Sequence, residues 1–250
     1  MVFDLDDTLY LERDYVASGF RFIADMVSND SLNPLDRTSS VTSHEIYRFM
    51  WGRFQRGVRL DHFDALLKRF PQIGRSWTVE ELVAQYRGHP PRLQMIEGMA
   101  EMIHNLRRRG LKTAIISDGP LTSQHAKAKA LELGHYADLV VLTDLWGADY
   151  WKPHPRAFAL VEQSVELDPA RLVYVGDNPA KDFNAPIARG WDCIRVRFPG
   201  QLHERIESPP QLRLKEAASV HQLARLLLGG QRTSTSASWG SGANGTASAA

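Results

Sequence analysis

The chain has 250 residues, 43% of them hydrophobic, a length that suits one large domain or a core with a smaller module. A formal charge of +1, basic runs no longer than "RRRG" at 107–110 and "RVRF" at 195–198, and a single cysteine (Cys193) argue against a nucleic-acid surface and exclude an internal disulfide framework. No apolar run reaches membrane-spanning length and no secretory leader opens the chain, so a cytoplasmic protein without a membrane partner is expected.

The first segment, "VFDLDDTLY", is an apolar run carrying three carboxylates: Asp4, Asp6 and Asp7. Unpaired charges are costly inside a fold. Either the strand ends at Asp4 with the acids in solvent, or they converge on a cation. From Glu12 to about Met26 the pattern turns helical, with Val16, Phe20, Ile23 and Val27 on one face. Residues 29–43 read as a polar loop, and 44–55, 60–70 and 78–86 as amphipathic helices rich in aromatics. "RGHPPRLQ" at 87–94 stops the pattern, because a double proline rarely sits inside a helix.

Beyond it a helix runs to Gly110, followed by the apolar run "LKTAIIS" ending at Ser117 and a helix to about Leu133. "ADLVVLTD", a helix from Pro155, "RLVYVGD", a helix ending at Gly190 and "DCIRVRF" complete the series. Short continuous apolar runs alternating with helices indicate a parallel sheet covered on both faces. The expected fold is therefore α/β: a Rossmann-like parallel sheet in residues 1–11 and 93–228, split after its first strand by an all-helical insertion at 12–92. Residues 229–250 are almost devoid of apolar content and are expected to be disordered. The "GSGANG" at 240–245 has dinucleotide-binding spacing but no strand or helix around it, and carries no weight.

In such a sheet, ligands bind beyond the carboxyl ends of the strands. "VFD" delivers Asp4 there, with Asp6 two residues on; "TAIIS" delivers Ser117, then Asp118 and Gly119. "VYVG" delivers Asp177, with Asp182 five residues further, and "YWKPHP" supplies Lys152 in a proline-stiffened loop. Each has a bland reading. Side-chain alternation points Asp7 away from Asp4 and makes it an ordinary loop acid. Ser117 serves as a helix cap; Asn178, Pro179 and Asp182 form a helix start; Lys152 is a solvated lysine. Their joint occurrence, in this order and each at a strand end, favours a site.

On these residues the chain resembles the haloacid dehalogenase (HAD) superfamily of phosphatases, over about residues 1–228. The family's D-x-D-x-T motif stands as Asp4-Leu5-Asp6-Asp7-Thr8, the second motif is Ser117 after "AII", the third is Lys152, and the fourth is Asp177 with Asp182. An insertion directly after the first motif is similar to the helical-cap subgroup that holds phosphoglycolate phosphatases, phosphosugar phosphatases and pyrimidine nucleotidases. The resemblance implies a Mg2+ ion held by Asp4, Asp177 and the carbonyl of Asp6, with Asp182 acting behind it. It implies Asp4 as nucleophile through an aspartyl phosphate, Asp6 as acid and base, and Thr8, Ser117, Asp118, Gly119 and Lys152 around the phosphate. The implied substrate is a small phosphorylated metabolite: a sugar phosphate, phosphoglycolate or a nucleoside monophosphate.

Two alternatives stay open: a phosphosugar mutase, which returns the phosphoryl group, and an idle phosphate-binding module. Asp6 argues against a dehalogenase, whose chemistry needs no leaving-group proton. Arg13, Tyr15, His44, Arg53 and Arg56 are candidates for choosing the leaving group, while Phe49, Trp51 and Phe63 are expected as cap core. Monomer and homodimer are both compatible. The strand before Asp4 is shorter than is usual in the family, as if the chain began late, and reduced stability is the expected consequence.

Overall fold

The strands β1 (Val2–Phe3), β2 (Ala114–Ser117), β3 (Leu139–Leu142), β4 (Val173–Gly176), β5 (Asp192–Val196) and β6 (Lys215–Ala217) form one parallel sheet in the order β3-β2-β1-β4-β5-β6. The computed structural model describes residues 1–30 and 41–229. Most of the loop expected at 29–43, and the C-terminal tail with its glycine motif, lie outside those residues. No helix among the described residues is long and apolar enough to cross a membrane.

The central strands are apolar on both faces because helices cover both. Side chains alternate along a strand, so Phe3, Ile115, Val175 and Ile194 face one way, against α5 (Met99–Arg108) and α9 (Val220–Gly229). Val2, Ala114, Ile116 and Tyr174 face the other, against α7 (Arg156–Val165) with Phe158 and Val161. β1 has only two residues, yet it pairs on both edges, Val2 with Ala114 and with Tyr174. The pairing also extends past it: Ala114 N donates to Met1 O at 2.9 Å and Asp4 N donates to Val175 O at 2.8 Å.

Between β1 and α5 come α1 (Glu12–Asp30), α2 (Ser43–Gln55), α3 (His62–Arg69) and α4 (Val79–Gly88). They bury a third apolar cluster among themselves, in which Val16, Phe20, Ile23 and Val27 of α1 meet Ile46, Met50, Leu66 and Leu82. Thr42 with Glu45, and Thr78 with Glu81, form capping boxes that satisfy the first amides of α2 and α4. α4 stops at Gly88, just before the His89-Pro90-Pro91 segment.

α6 (Leu121–Ala130) is shorter than the pattern suggests; a 3₁₀ turn at Leu133–His135 replaces its last residues. β6 and α9 have no counterpart in the strand series read from sequence. "KEA" carries no apolar run, and only its alanine is fully buried.

Candidate active site

The strand order reverses direction between β1 and β4, and ligand crevices open at such points. Asp4 leaves β1 there and Asp177 leaves β4 beside it, while Ser117 ends β2 on the other flank of β1. Lys152, on the segment between β3 and α7, reaches across. Its Nζ donates to Asp4 Oδ1, to Asp182 Oδ1 at 2.8 Å and to Tyr174 OH at 3.0 Å, with all four groups buried. Asp118 fastens that lysine segment, its Oδ1 accepting from Lys152 N at 3.1 Å and Thr143 Oγ1 at 2.8 Å. Asp182 comes this close because residue 176 is glycine: a Cβ there would lie 2.6 Å from Asp182 Oδ2.

Ligand oxygens of Asp4, Asp177 and Asp182 lie within 4.8 Å of one another, with the buried Lys152 ammonium on Asp4 and Asp182 and Lys181 adding positive charge nearby. Burial, with Asp182 close by, lifts the Asp4 carboxyl to about 8 against the pull of Lys152. Burial and the Asp182 charge push Asp177 well above the carboxylate range. Lys152 itself is held charged by Asp182 and Asp4, despite its burial. Lys152 and Lys181 together do not offset burial for Asp4 and Asp177, and a divalent cation would stabilise both as carboxylates. The donor set fits one. Asp182 commits both oxygens, to Lys152 and to Asn178 N (2.9 Å), whereas Asp4 Oδ2 is buried without a partner. Thr8 Oγ1 is buried and unpartnered as well. Asp4 and Asp177 are therefore the side chains suited to hold the metal.

Asp6 lies in a different field. Its Oδ1 accepts from Lys127 Nζ at 2.6 Å and from Tyr10 OH, and its Oδ2 from Gln124 Nε2 at 3.2 Å. Burial works against its charge, but the Lys127 ammonium and these bonds more than offset it and hold the carboxyl below its ordinary value. Gln124 also accepts from Ser117 Oγ at 2.8 Å, so it links the two motifs; Ser117 does not cap α6, whose N-cap is Pro120. Gly119, at φ +121°, leaves the space Gln124 occupies, since a Cβ there would sit 2.7 Å from Gln124 Nε2.

Several readings of the sequence need correction. Asp7 is no ordinary loop acid. It is buried in a left-handed conformation, and its carboxylate accepts from Glu12 N at 2.8 Å and Leu202 N at 2.7 Å. Burial and the charge of Asp177 lift it to about 7. Asn178 forms a turn with Ala180 N at 3.0 Å, and α8 (Asn184–Ala188) begins after Asp182, so Asp182 is not in a helix's first turn. In the "RVRF" run Arg195 is fully buried: its Nε donates to Asp177 O at 3.0 Å and its Nη2 to His203 O at 2.9 Å. His203 in turn places Nδ1 2.8 Å from Asp177 Oδ2.

Gln124, Lys127, Arg195 and His203 were not singled out from sequence. The available signal was a polar pair three residues apart on one face of α6, in a helix with few apolar residues to bury. Among the leaving-group candidates, Tyr15 lies under Lys127, its ring centroid 4.4 Å from Nζ. Arg53 pairs with Asp61 at 2.7 Å, Arg13 lies over Trp51, and His44 and Arg56 are exposed.

A family model described as haloacid dehalogenase-like hydrolase matches residues 1–188. The chain belongs to that family. Among HAD relatives, the glyceraldehyde 3-phosphate phosphatase of Pyrococcus furiosus is 29% identical over 122 residues, 48% of this chain and 50% of that protein. The chain thus spans about half the length of that relative. Pyrophosphatase PpaX of Bacillus thuringiensis is 24% identical over 184 residues, 71% of this chain and 74% of that one. The solved structure of the HAD hydrolase YfnB of Bacillus subtilis, bound to magnesium, superposes with a TM-score of 0.63 at 18% identity, covering 90% of this chain and 96% of that one. That likeness establishes the shared α/β fold, and HAD proteins generally use Mg2+.

Proposed function

We propose that the protein is a Mg2+-dependent phosphomonoester hydrolase acting on a small phosphorylated metabolite. Residues 12–92 would serve as a helical cap over the site. The observation that carries the reading is the buried Asp4–Lys152–Asp182 array with one Asp4 oxygen left unpartnered at the β1/β4 crevice. The relatives' names, phosphatase and pyrophosphatase, point to the same chemistry.

The metal, held by Asp4, Asp177 and the backbone carbonyl of Asp6, would supply charge neutralisation for the approach of an anionic ester to a carboxylate. Lys152 fixes the Asp4 side chain and adds positive charge beside the phosphoryl group. Asp4 attacks phosphorus, the bond to the ester oxygen breaks, and an aspartyl phosphate forms. Asp6, which has to enter this step protonated by solvent, gives the departing alcohol that proton. Water then attacks the phosphorus of the acyl phosphate while Asp6 takes a proton back, releasing phosphate and free Asp4. Lys127 and Tyr10 on Oδ1, with Gln124 on Oδ2 at 3.2 Å, favour the Asp6 carboxylate, the form the second step needs. Thr8, Ser117 and the amides of Asp118 and Gly119 would receive the phosphoryl oxygens.

Release of phosphate from p-nitrophenyl phosphate, with Mg2+ and with EDTA, tests the reading. Turnover that needs Mg2+ is expected; no turnover in either condition overturns it.

A further inference from the structure

Resting on the phosphatase reading, we propose that a cavity inside the helical layer receives the leaving group, and that it selects phosphomonoesters whose alcohol carries a flat apolar ring. The cavity offers about 380 Å³, within the range of small-ligand sites, and opens to solvent on the side of the exposed Leu60. Phe20 of α1, Phe54 of α2, Phe63 of α3 and Val83 and Tyr86 of α4 wall it, and Leu202 closes it from the sheet side. The Phe63 and Tyr86 rings meet at 5.7 Å and 63°, and Phe20 lies 5.9 Å from Tyr86, so ring edges and faces both border the space. Arg59 does not act as a loose cation there. Its guanidinium lies 4.3 Å over the Phe54 ring, and Nη1 is spent on the carbonyls of Phe54 (2.7 Å) and Val58 (3.0 Å).

The cavity abuts the catalytic rim. Glu12 lines it, and the Glu12 and Leu202 amides both bind the Asp7 carboxylate. On the other side, Tyr86 meets Tyr15 at 5.5 Å, Tyr15 underlies Lys127, and Lys127 holds Asp6. An alcohol leaving next to Asp6 would therefore carry its body toward these rings.

The chemistry of the wall discriminates among bodies. A polyol would trade water for a wall that is mostly phenyl and valine surface; of the wall's polar groups Arg59 is turned to backbone carbonyls and Asp61 to Arg53, which leaves Glu12, His62 and Arg87 for the hydroxyls. A two-carbon acid would fill little of the space and bring a second carboxylate toward Glu12. A planar ring fills it and makes the offset and edge contacts that aromatic walls favour. A nucleobase and a plain arene share that chemistry.

Matched esters separate the possibilities. Ribose 5-phosphate and uridine 5′-monophosphate present the same primary phosphate ester, and ethyl phosphate and 2-phenylethyl phosphate form the arene pair. The ring-bearing member should have a kcat/KM at least about tenfold higher in one or both pairs, a scale set by apolar-pocket discrimination. The nucleotide pair alone would identify a base, the phenyl pair alone an arene. Val83→Phe, which fills the cavity, should bring that ratio to within about threefold. A ratio near one in both wild-type pairs, with all four esters hydrolysed, overturns the inference and leaves the phosphatase reading intact. So does a full ratio that survives in a folded Val83→Phe. If that variant does not fold, competition with wild-type p-nitrophenyl phosphate turnover decides, with uridine and 2-phenylethanol against ribose and ethanol. Inhibition by neither ring compound overturns the assignment. Failure to hydrolyse even p-nitrophenyl phosphate with Mg2+ would instead remove the phosphatase reading itself.

Discussion

Asp7→Asn sets two effects of known sign against each other. The Asp7 carboxyl is lifted from 3.8 to about 7, mainly by burial and by Asp177. A group raised in this way supports folding while protonated; that support is complete below its ordinary value and is lost as pH rises through about 7. The full difference is about 4 kcal/mol, of which about 2.5 kcal/mol falls between pH 5 and pH 8. Asparagine carries no charge, so it escapes this loss. It does forfeit one acceptor, because Glu12 N and Leu202 N both need an oxygen and its amide nitrogen cannot accept. An unmet amide costs about 1–3 kcal/mol at every pH. Near parity with the wild type is therefore expected at pH 5, and a clear advantage for Asp7→Asn at pH 8. Removing the Asp7 charge also eases ionisation of Asp177, which acts in the same direction. Urea denaturation in EDTA at pH 5, 6, 7 and 8 measures the difference. A stability difference that stays flat across that range, or moves in favour of the wild type, would refute the assignment of a raised carboxyl to Asp7.

Other substitutions test the remaining contacts. Asp4→Asn should lower Mg2+-dependent turnover at least about a hundredfold, roughly 2.7 kcal/mol in the barrier, while leaving a folded protein; retention of a tenth of the wild-type rate rules Asp4 out as nucleophile. Asp6→Asn should slow phosphate release from every ester, because the base step is common to all, but rapid quench should show phospho-enzyme forming much faster from p-nitrophenyl phosphate, whose phenolate leaves without a proton, than from an alkyl phosphate; equal rates of its formation would remove Asp6 as the acid. Gly176→Ala puts a methyl 2.6 Å from Asp182 Oδ2 and should cost about 1–3 kcal/mol in urea unfolding, whereas unchanged stability would show that Asp182 does not pack there. His203→Ala removes the partner of Asp177 Oδ2 and should weaken Mg2+ binding by calorimetry about 10–100-fold; equal affinities would show that the contact does not orient Asp177.

The parts of the fold that could be read from sequence are those in which one physical constraint dominates. "TAIIS" and "VYVG" admit few readings other than strands buried on both faces, and the acids and serine at their ends fall on one rim because parallel strands end on one side. The α1 face of Val16, Phe20, Ile23 and Val27 follows from helical period alone. What escaped was set by tertiary contact. Lys127 and Gln124 look like solvated helix residues until α6 is packed beside the Asp6 loop. Arg195 sits in what reads as a surface run, but its guanidinium is satisfied by carbonyls of Asp177 and His203 that lie far apart in the chain. Alternation along an extended strand misled the reading of Asp7, because the backbone leaves the extended region at φ 54° and turns the side chain inward.

Asp4 and Asp6 are two residues apart, yet their surroundings drive their acidities in opposite directions, and that divergence separates their proposed roles. Asp4 shares one ammonium with Asp182 and lies near Asp177, so burial and like charge outweigh Lys152 and lift it to about 8. Asp6 has Lys127 nearly to itself, with Tyr10 and Gln124 adding donors, and is pulled below its ordinary value. At neutral pH the proposed base is therefore in its carboxylate form as the protein stands, while the proposed nucleophile is not. A carboxyl raised to about 8 is mostly protonated at pH 7, and a protonated acid is a poor nucleophile. Bringing Asp4 into its reactive form requires more positive charge than Lys152 supplies, and its unpartnered Oδ2 beside Asp177 is where that charge would act. The proposed need for a divalent cation would then follow from burying Asp4, Asp177 and Asp182 together, with Lys152 and Lys181 too little to keep Asp4 and Asp177 ionised.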